Sequence, residues 1–436
     1  MFGSVFLRNF RCFDSERVVF KNGRGSVKDR IYLFGDNGSG KTSLLISLAF
    51  FRKLSDGYTI NQIHNNRKRS KYEHKVPRFN LTDEVKANFR INAQAPMVLV
   101  YEIIVDGYTY IYELVFDNTY NLISESLVRT SSRRSVLVFC VSDDEVYLKS
   151  AISPSRNLDT LKMLVTKYKN QYTCLSLLLY SHRFSNGHLF HPRLTSLLNF
   201  IQDLHISITN YYNYNDFFNF MLDTDLHLTR GTVSQDFKHI FEKTTPILTE
   251  IISSIFPSIV QSRYKFEYIG GNSYSFYVEH LQQNPEGVYI IPEHALPSGL
   301  RHLTDNIIEF SNALSGSTLI IDDFEGVLHL YPLQFMIDHI ISKIDGQVIL
   351  SCNSNDILNL VDPHSIYLSQ VIKLKHSVDC IETLSPSQPN HNIRNRYESG
   401  LYGTKPRTTS PNLSSEIEEL RDLILNLKST ARSNLL

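Results

Sequence analysis

Gly35-Asp36-Asn37-Gly38-Ser39-Gly40-Lys41-Thr42 meets the pattern GxxxxGK[ST] at every fixed position. Ahead of it runs Arg30-Ile-Tyr-Leu-Phe34, an apolar stretch of strand character, and behind it Ser43-Leu-Leu-Ile-Ser-Leu-Ala-Phe50 reads as a helix. Strand, glycine-rich turn and helix in that order describe a phosphate-binding loop. Its glycines let backbone amides turn inward around phosphate oxygens, and the helix beginning near Lys41 adds the positive end of its dipole. Lys41 is expected to neutralise the β- and γ-phosphates, Thr42 to offer its hydroxyl to magnesium, and Ser43 to complete the binding set.

Such a loop needs an acidic partner at the end of a neighbouring strand. Ser317-Thr-Leu-Ile-Ile-Asp322-Asp323 supplies an apolar run ending in two acids. Asp322 is the expected magnesium partner, through water, and Asp323 the expected activator of the attacking water, with Glu325 able to share that task. Just upstream, Leu296-Pro-Ser298-Gly299-Leu-Arg301 puts a hydroxyl and amides at a helix start, an anion-facing arrangement. Gln347-Val-Ile-Leu-Ser-Cys-Asn353 is another strand running into a polar turn, fit to set Asn353 near a γ-phosphate.

The order of these elements resembles the ABC-type ATPase heads of SMC and RecF proteins, with Ser298-Gly299 in the place of the signature motif. It is most similar to the AAA-type ATP-binding proteins grouped with overcoming-lysogenization-defect ATPases. Phe6-Leu-Arg-Asn-Phe-Arg-Cys-Phe13 resembles that family's opening LxNFRSF, and Ile321-Asp-Asp-Phe-Glu-Gly-Val-Leu-His329 its IDExExxLH. Asn121-Leu-Ile-Ser-Glu-Ser-Leu127 and Tyr397-Glu-Ser-Gly-Leu-Tyr-Gly-Thr-Lys-Pro406 resemble further segments, so the likeness covers 1–150 and 290–406.

The resemblance implies an α/β fold: an ABC-type P-loop ATPase head with an antiparallel β subdomain and a helical insertion. It implies ATP and Mg2+ as ligands, and a homodimer or higher homo-oligomer that sandwiches nucleotide between two heads. Ser298 and Gly299 of one copy would meet the γ-phosphate held by Lys41 of the other. Arg11 would sit near the phosphates, and Gln94 would be the glutamine that contacts magnesium and water. Two departures stand out. Aspartate replaces the family's catalytic glutamate at Asp323, and asparagine replaces its histidine at Asn353, a side chain that neither becomes cationic nor exchanges protons. Both imply a slow hydrolase that dwells in the ATP-bound dimer.

Composition sets limits. The chain has 436 residues, 42% hydrophobic and 20% charged, enough for a sizeable core. Lys plus Arg equals Asp plus Glu at 44 each, so no overall basic field draws nucleic acid, although a local patch would suffice. Five scattered cysteines, none in CxxC spacing, suggest neither a zinc site nor a disulfide framework. With no signal-peptide pattern and no membrane-spanning apolar run, the expectation is a soluble cytoplasmic protein with no membrane contact.

The expected organisation is an N-terminal half of the head over 1–150, a helical insertion over 151–262, a C-terminal half over 263–383, and a strap with a final helix over 384–436. Val98–Val105 and Tyr108–Val115 around Asp106-Gly107 read as a hairpin. Residues 158–180, 193–207, 214–222 and 235–256 carry leucines and aromatics at helical spacing. Ile417, Leu420, Leu423, Ile424 and Leu427 make one stripe of a last helix opened by the capping box Ser415–Glu418.

The tail beyond Asp323 lacks a DxD pattern or a two-metal carboxylate cluster, which argues against a nuclease in this chain. Two roles remain. One is the ATPase and sensor subunit of a bacterial antiphage defence system, resembling those of the Septu, PARIS and retron-associated systems and controlling a separate effector protein, a nuclease or toxin. The other is a RecF-like repair ATPase that clamps duplex DNA, with Arg67–Lys75 and Arg129, Arg133 and Arg134 on phosphates. A scaffold that binds ATP without hydrolysing it is a blander third.

Overall fold

The computed structural model describes residues 1–66, 76–131, 134–185, 189–213, 216–217, 220–221, 229–304, 316–326, 328–386, 391–403, 418 and 421–424. Apolar runs make its central sheet. β3 (Arg30–Phe34) lies between β16 (Val348–Ser351) and β17 (Ile366–Ile372), with β15 (Thr318–Ile321) beyond β16 and β9 (Leu204–Ile208) beyond β15, all parallel. β10 (Tyr212–Asn213) and β18 (Lys375–Cys380) close the two edges antiparallel. Successive side chains of a strand point to opposite faces, and here both faces are covered. Ile31, Leu33, Ile320 and Ile349 enter one core cluster; Tyr32, Phe34, Leu319, Ile321, Val348 and Leu350 enter another. Burial on both sides explains why these strands read as continuous apolar runs.

The first core holds α1 (Lys41–Asn66), the helix that follows the phosphate loop. Leu44 through Arg52 are buried without interruption, as befits a helix covered all round. Its second cover is an antiparallel sheet in the order β2 (Phe13–Val19), β1 (Phe2–Phe10), β4 (Met97–Val105), β5 (Tyr108–Phe116), β6 (Leu122–Thr130), β7 (Ser135–Ser142), β8 (Val146–Leu148). The Tyr101 hydroxyl donates to the Ser47 carbonyl at 2.8 Å, and its ring stands 4.9 Å from that of Phe51. Farther along α1, Arg52 pairs with Asp56 at 2.7 Å, and Asp56 also takes Arg183 at 2.7 Å and the Tyr212 hydroxyl at 3.0 Å. This buried cluster ties α1 to β10 and to the helix over Cys174–Phe184.

Three helices span Ser155–Tyr168 (α3), Cys174–Phe184 (α4) and Pro192–Gln202 (α5), after the short α2 at Leu81–Asn88. The helical reading of 193–207 is corrected here: α5 stops at Gln202, and Leu204-His-Ile-Ser-Ile208 is β9, hydrogen-bonded in parallel to β15. A five-residue apolar run fits a strand or a helix turn equally well, and a partner strand from a distant part of the chain chose between them. Within the expected helical insertion, 151–262, β11 (Arg230–Ser234) is also a strand. It joins β13 (Ser273–Asn284), β12 (Ile259–Gly270) and β14 (Gly287–Ile290) in a third sheet, on whose inner face α6 (Gln235–Ile255) packs through Phe241, Leu248 and Ile252. Most of the final helix expected beyond Ser415 lies outside the described residues. Among the described residues no helix is long and apolar enough to cross a membrane.

Candidate phosphate-binding site

The loop after β3 turns sharply because Gly35 takes φ +144°, and its ideal Cβ would stand 2.1 Å from the Ser369 carbonyl oxygen on β17. No larger residue fits there. Asn37 and Gly38 are exposed at the crest, whereas Ser39 and Gly40 turn inward. Lys41 is buried and donates to the carbonyls of Gly35 at 2.5 Å and Asp36 at 3.3 Å. Burial lowers its pKa, with the Asp322 carboxylate opposing that shift. Cys12 Sγ and Phe13 flank Gly40, and the Cys12 thiol, raised by burial, hydrogen-bonds Ser43.

One strand, β16, separates the loop strand from the acidic strand. Its end therefore lies between the two. Thr42 Oγ1 donates to Asp322 Oδ1 at 3.2 Å. Ser351 Oγ donates to the same carboxylate oxygen and accepts the Asp323 amide at 2.7 Å. Asp323 stands in the left-handed region, φ +54°, a strained setting for a residue with a Cβ. Its exposed carboxylate accepts the side-chain amide of Asn353 at 2.7 Å. Lys41, Thr42, Asp322, Asp323 and Asn353 are thus brought together from three chain segments.

Glu325 is placed differently from a water-activating base. Only 4% of it is exposed, and its Oε1 accepts the backbone amides of Asn353 and, at 2.8 Å, Ser354. Burial raises its pKa, while those two amides pull it down. It holds the 353–354 turn. Arg11 stands in the turn between β1 and β2. Its backbone is left-handed, φ +48°, and its guanidinium donates to Asn88 Oδ1 at 3.1 Å. Gln94 is exposed on the loop between α2 and β4, and no hydrogen bond joins it to Thr42 or Asp322 among the described residues.

Ser298 opens a helix described over 298–304 and is exposed, with Gly299 half-buried and Leu300 anchored in the core beside Leu248 and Ile252. No hydrogen bond joins Ser298 or Gly299 to the phosphate loop of the same chain among the described residues. The helix is tied to the acidic turn, because His302 Nε2 donates to the Phe324 carbonyl at 3.0 Å.

Two further residues belong to the site. Ser351 bridges both acids, and His376 Nδ1 donates to the Ser39 carbonyl at 2.7 Å, bracing the loop from the β17–β18 hairpin. Ser351 sits two residues before Asn353 in the strand already singled out, but only sheet order shows that it faces Asp322. Nothing local to His376 points at the loop. Of the basic residues weighed for DNA, 67–75 and Arg133 lie outside the described residues, and Arg129 lies 5.5 Å from the Tyr108 ring centre, which Arg193 also approaches at 5.1 Å.

Solved structures of SMC head domains are similar to this chain. The SMC head domain from Thermotoga maritima is 11% identical, covers 87% of this chain and 99% of its own, and superposes with a TM-score of 0.39. The Smc head domain from Pyrococcus furiosus, with an extended coiled coil and bound to the C-terminal domain of ScpA, is 14% identical over 87% of this chain and 95% of its own, with a TM-score of 0.37. No protein-family profile and no curated protein matches the sequence.

Proposed function

We propose that this chain is an ATPase head that binds ATP with Mg2+, closes on a second copy around the nucleotide and hydrolyses it slowly. The observation that carries this reading is the convergence of Lys41, Thr42 and Asp322 at the loop with the Asp323–Asn353 pair, 2.7 Å apart, beside it. The residues suit the ligands. A loop that admits only glycine at 35 exposes amides to an anion, and the Thr42 hydroxyl and Asp322 carboxylate form a hard oxygen pair of the kind magnesium takes. Magnesium there would neutralise charge on the β- and γ-phosphates.

Lys41 adds a positive charge at the phosphates, with Asp322 close enough to favour its ammonium form. Asp323 orients and deprotonates the attacking water, and the Asn353 amide fixes one of its two oxygens. Aspartate is one methylene shorter than glutamate, and asparagine cannot pass a proton on, so each turnover is slow. The exposed Ser298-Gly299 helix start is free to meet the γ-phosphate of the other copy, which makes the closed dimer the ATP-bound state.

Slow turnover suits a switch. The resemblance of the two ends of the sequence to defence ATPases extends the proposal: the chain is the sensor and scaffold subunit of a bacterial antiphage system and controls a separate effector, a nuclease or toxin. The RecF-like clamp is the alternative, and the packing of Arg129 on Tyr108 adds nothing to it. Mass photometry with ATP and magnesium tests the nucleotide-closed dimer. Wild type and Asp323→Ala should assemble with ATP and Lys41→Ala should not; equal masses in all three, with or without ATP, would refute it.

A further inference from the structure

The segment Tyr397–Pro406, prominent in the sequence, begins in a strap that the phosphate chemistry above leaves unused. We infer that residues 391–403 are a working part of the nucleotide site, with Arg394 as a positioning residue that holds the Asn353 turn against Asp323. This rests on the ATPase reading above.

The strap opens with the helix Ile393–Glu398, capped by Asn392, whose side chain accepts the Asn395 amide at 2.8 Å. Ile393, Tyr397 and Tyr402 are buried in the same core cluster as Phe34, Cys352 and Leu368. Phe34 immediately precedes the phosphate loop and Cys352 immediately precedes Asn353, so the strap shares one core with the ends of the strands that carry the site.

From that anchored position Arg394 reaches the turn. Its guanidinium pairs with Asp356 and, through Nε, with Glu398 at 2.8 Å; its backbone amide donates to Asn359 at 3.3 Å. Asp356 lies in the turn Asn355–Asn359, which is capped by Ser354. Ser354 in turn gives its amide to Glu325, and its neighbour Asn353 gives its side chain to Asp323. One unbroken series of bonds therefore runs from Arg394 to the proposed catalytic carboxylate.

The other side of the strap meets β17 and feels the charge of Asp36 in the phosphate loop. The Tyr397 hydroxyl is pushed up to about 12, first by burial and then by the nearby Asp36 charge. The Tyr402 carbonyl accepts Gln370 Nε2 at 3.0 Å on β17, whose hairpin partner His376 holds Ser39. The Arg394 pairs are 42–43% exposed and add little to stability. Their structural consequence is where the Asn353 turn stands.

The full-length chain tests this. Arg394→Glu, which sets a third carboxylate between Asp356 and Glu398, should lower kcat about fivefold with KM within about twofold and the urea midpoint unchanged. The exchange Arg394→Glu with Asp356→Arg should restore most of kcat, which a merely structural role would not predict. Wild-type kcat in Arg394→Glu, with Asn353→Ala slowed, would overturn the inference and leave the ATPase reading standing. A wild type that neither binds nor hydrolyses ATP would remove that reading and the strap's role together.

Discussion

Replacing Glu325 by alanine separates a positioning role from a chemical one. Its Oε1 takes the amides of Asn353 and Ser354, in a place where only 4% of the residue meets solvent. Alanine leaves both amides without that acceptor, at about 1–3 kcal/mol each. Removing a carboxylate whose charged form is disfavoured by burial returns part of this, so the net loss should be about 2–4 kcal/mol. Glutamine keeps an acceptor oxygen and should lose about 1 kcal/mol. Urea unfolding at constant m measures both. The sign of the pH dependence follows from the raised pKa. A carboxyl whose folded pKa exceeds its unfolded value stabilises fully below the unfolded pKa and loses that contribution as pH rises through the folded one. Glutamine does not titrate and should remove that decline. In ATP turnover, alanine should cost about tenfold or more, because the Asn353 turn loses its anchor. An alanine variant as stable as wild type, or alanine and glutamine losing equally, would refute the reasoning.

Three further substitutions test other parts of the structure. Gly35→Ala puts a Cβ 2.1 Å from the Ser369 oxygen and should abolish binding of a fluorescent ATP analogue, while Gly38→Ala, with φ +81° but nothing within 4 Å, should weaken it only modestly; equal affinities would contradict the loop geometry. Glu125 is fully buried, accepts from Tyr112 and the amides of Cys174 and Leu175, and is raised by burial to about 7 from 4.5. It should therefore withdraw about 3 kcal/mol as pH rises from 4.5 to 7, and Glu125→Gln should lessen that decline in urea midpoints, leaving the parts that Glu16, also raised to about 7, and Glu325 contribute.

Contiguous features were legible in the sequence. The phosphate loop occupies eight consecutive residues, and its glycines and lysine have meaning without knowledge of any distant segment. The hairpin at Asp106-Gly107 and the acidic end of β15 are equally local, since turn chemistry and a short apolar run suffice to mark them. The departures at 323 and 353, on which the proposed slow hydrolysis rests, are likewise visible in the side chains themselves. The tertiary structure decided what depends on neighbours far along the chain. Leu204–Ile208 became a strand because β15 offered it an edge more than a hundred residues later. Glu325 turned inward because the amides of Asn353 and Ser354 lie under it, and Ser351 joined the acids because β16 lies between β3 and β15. The strap's proposed place at the site rests on Ile393 and Tyr397 entering the same core cluster as Phe34 and Cys352. A residue's type is fixed by its codon, but the direction its side chain faces is set by whatever long-range packing buries the most apolar surface while leaving its polar atoms partnered.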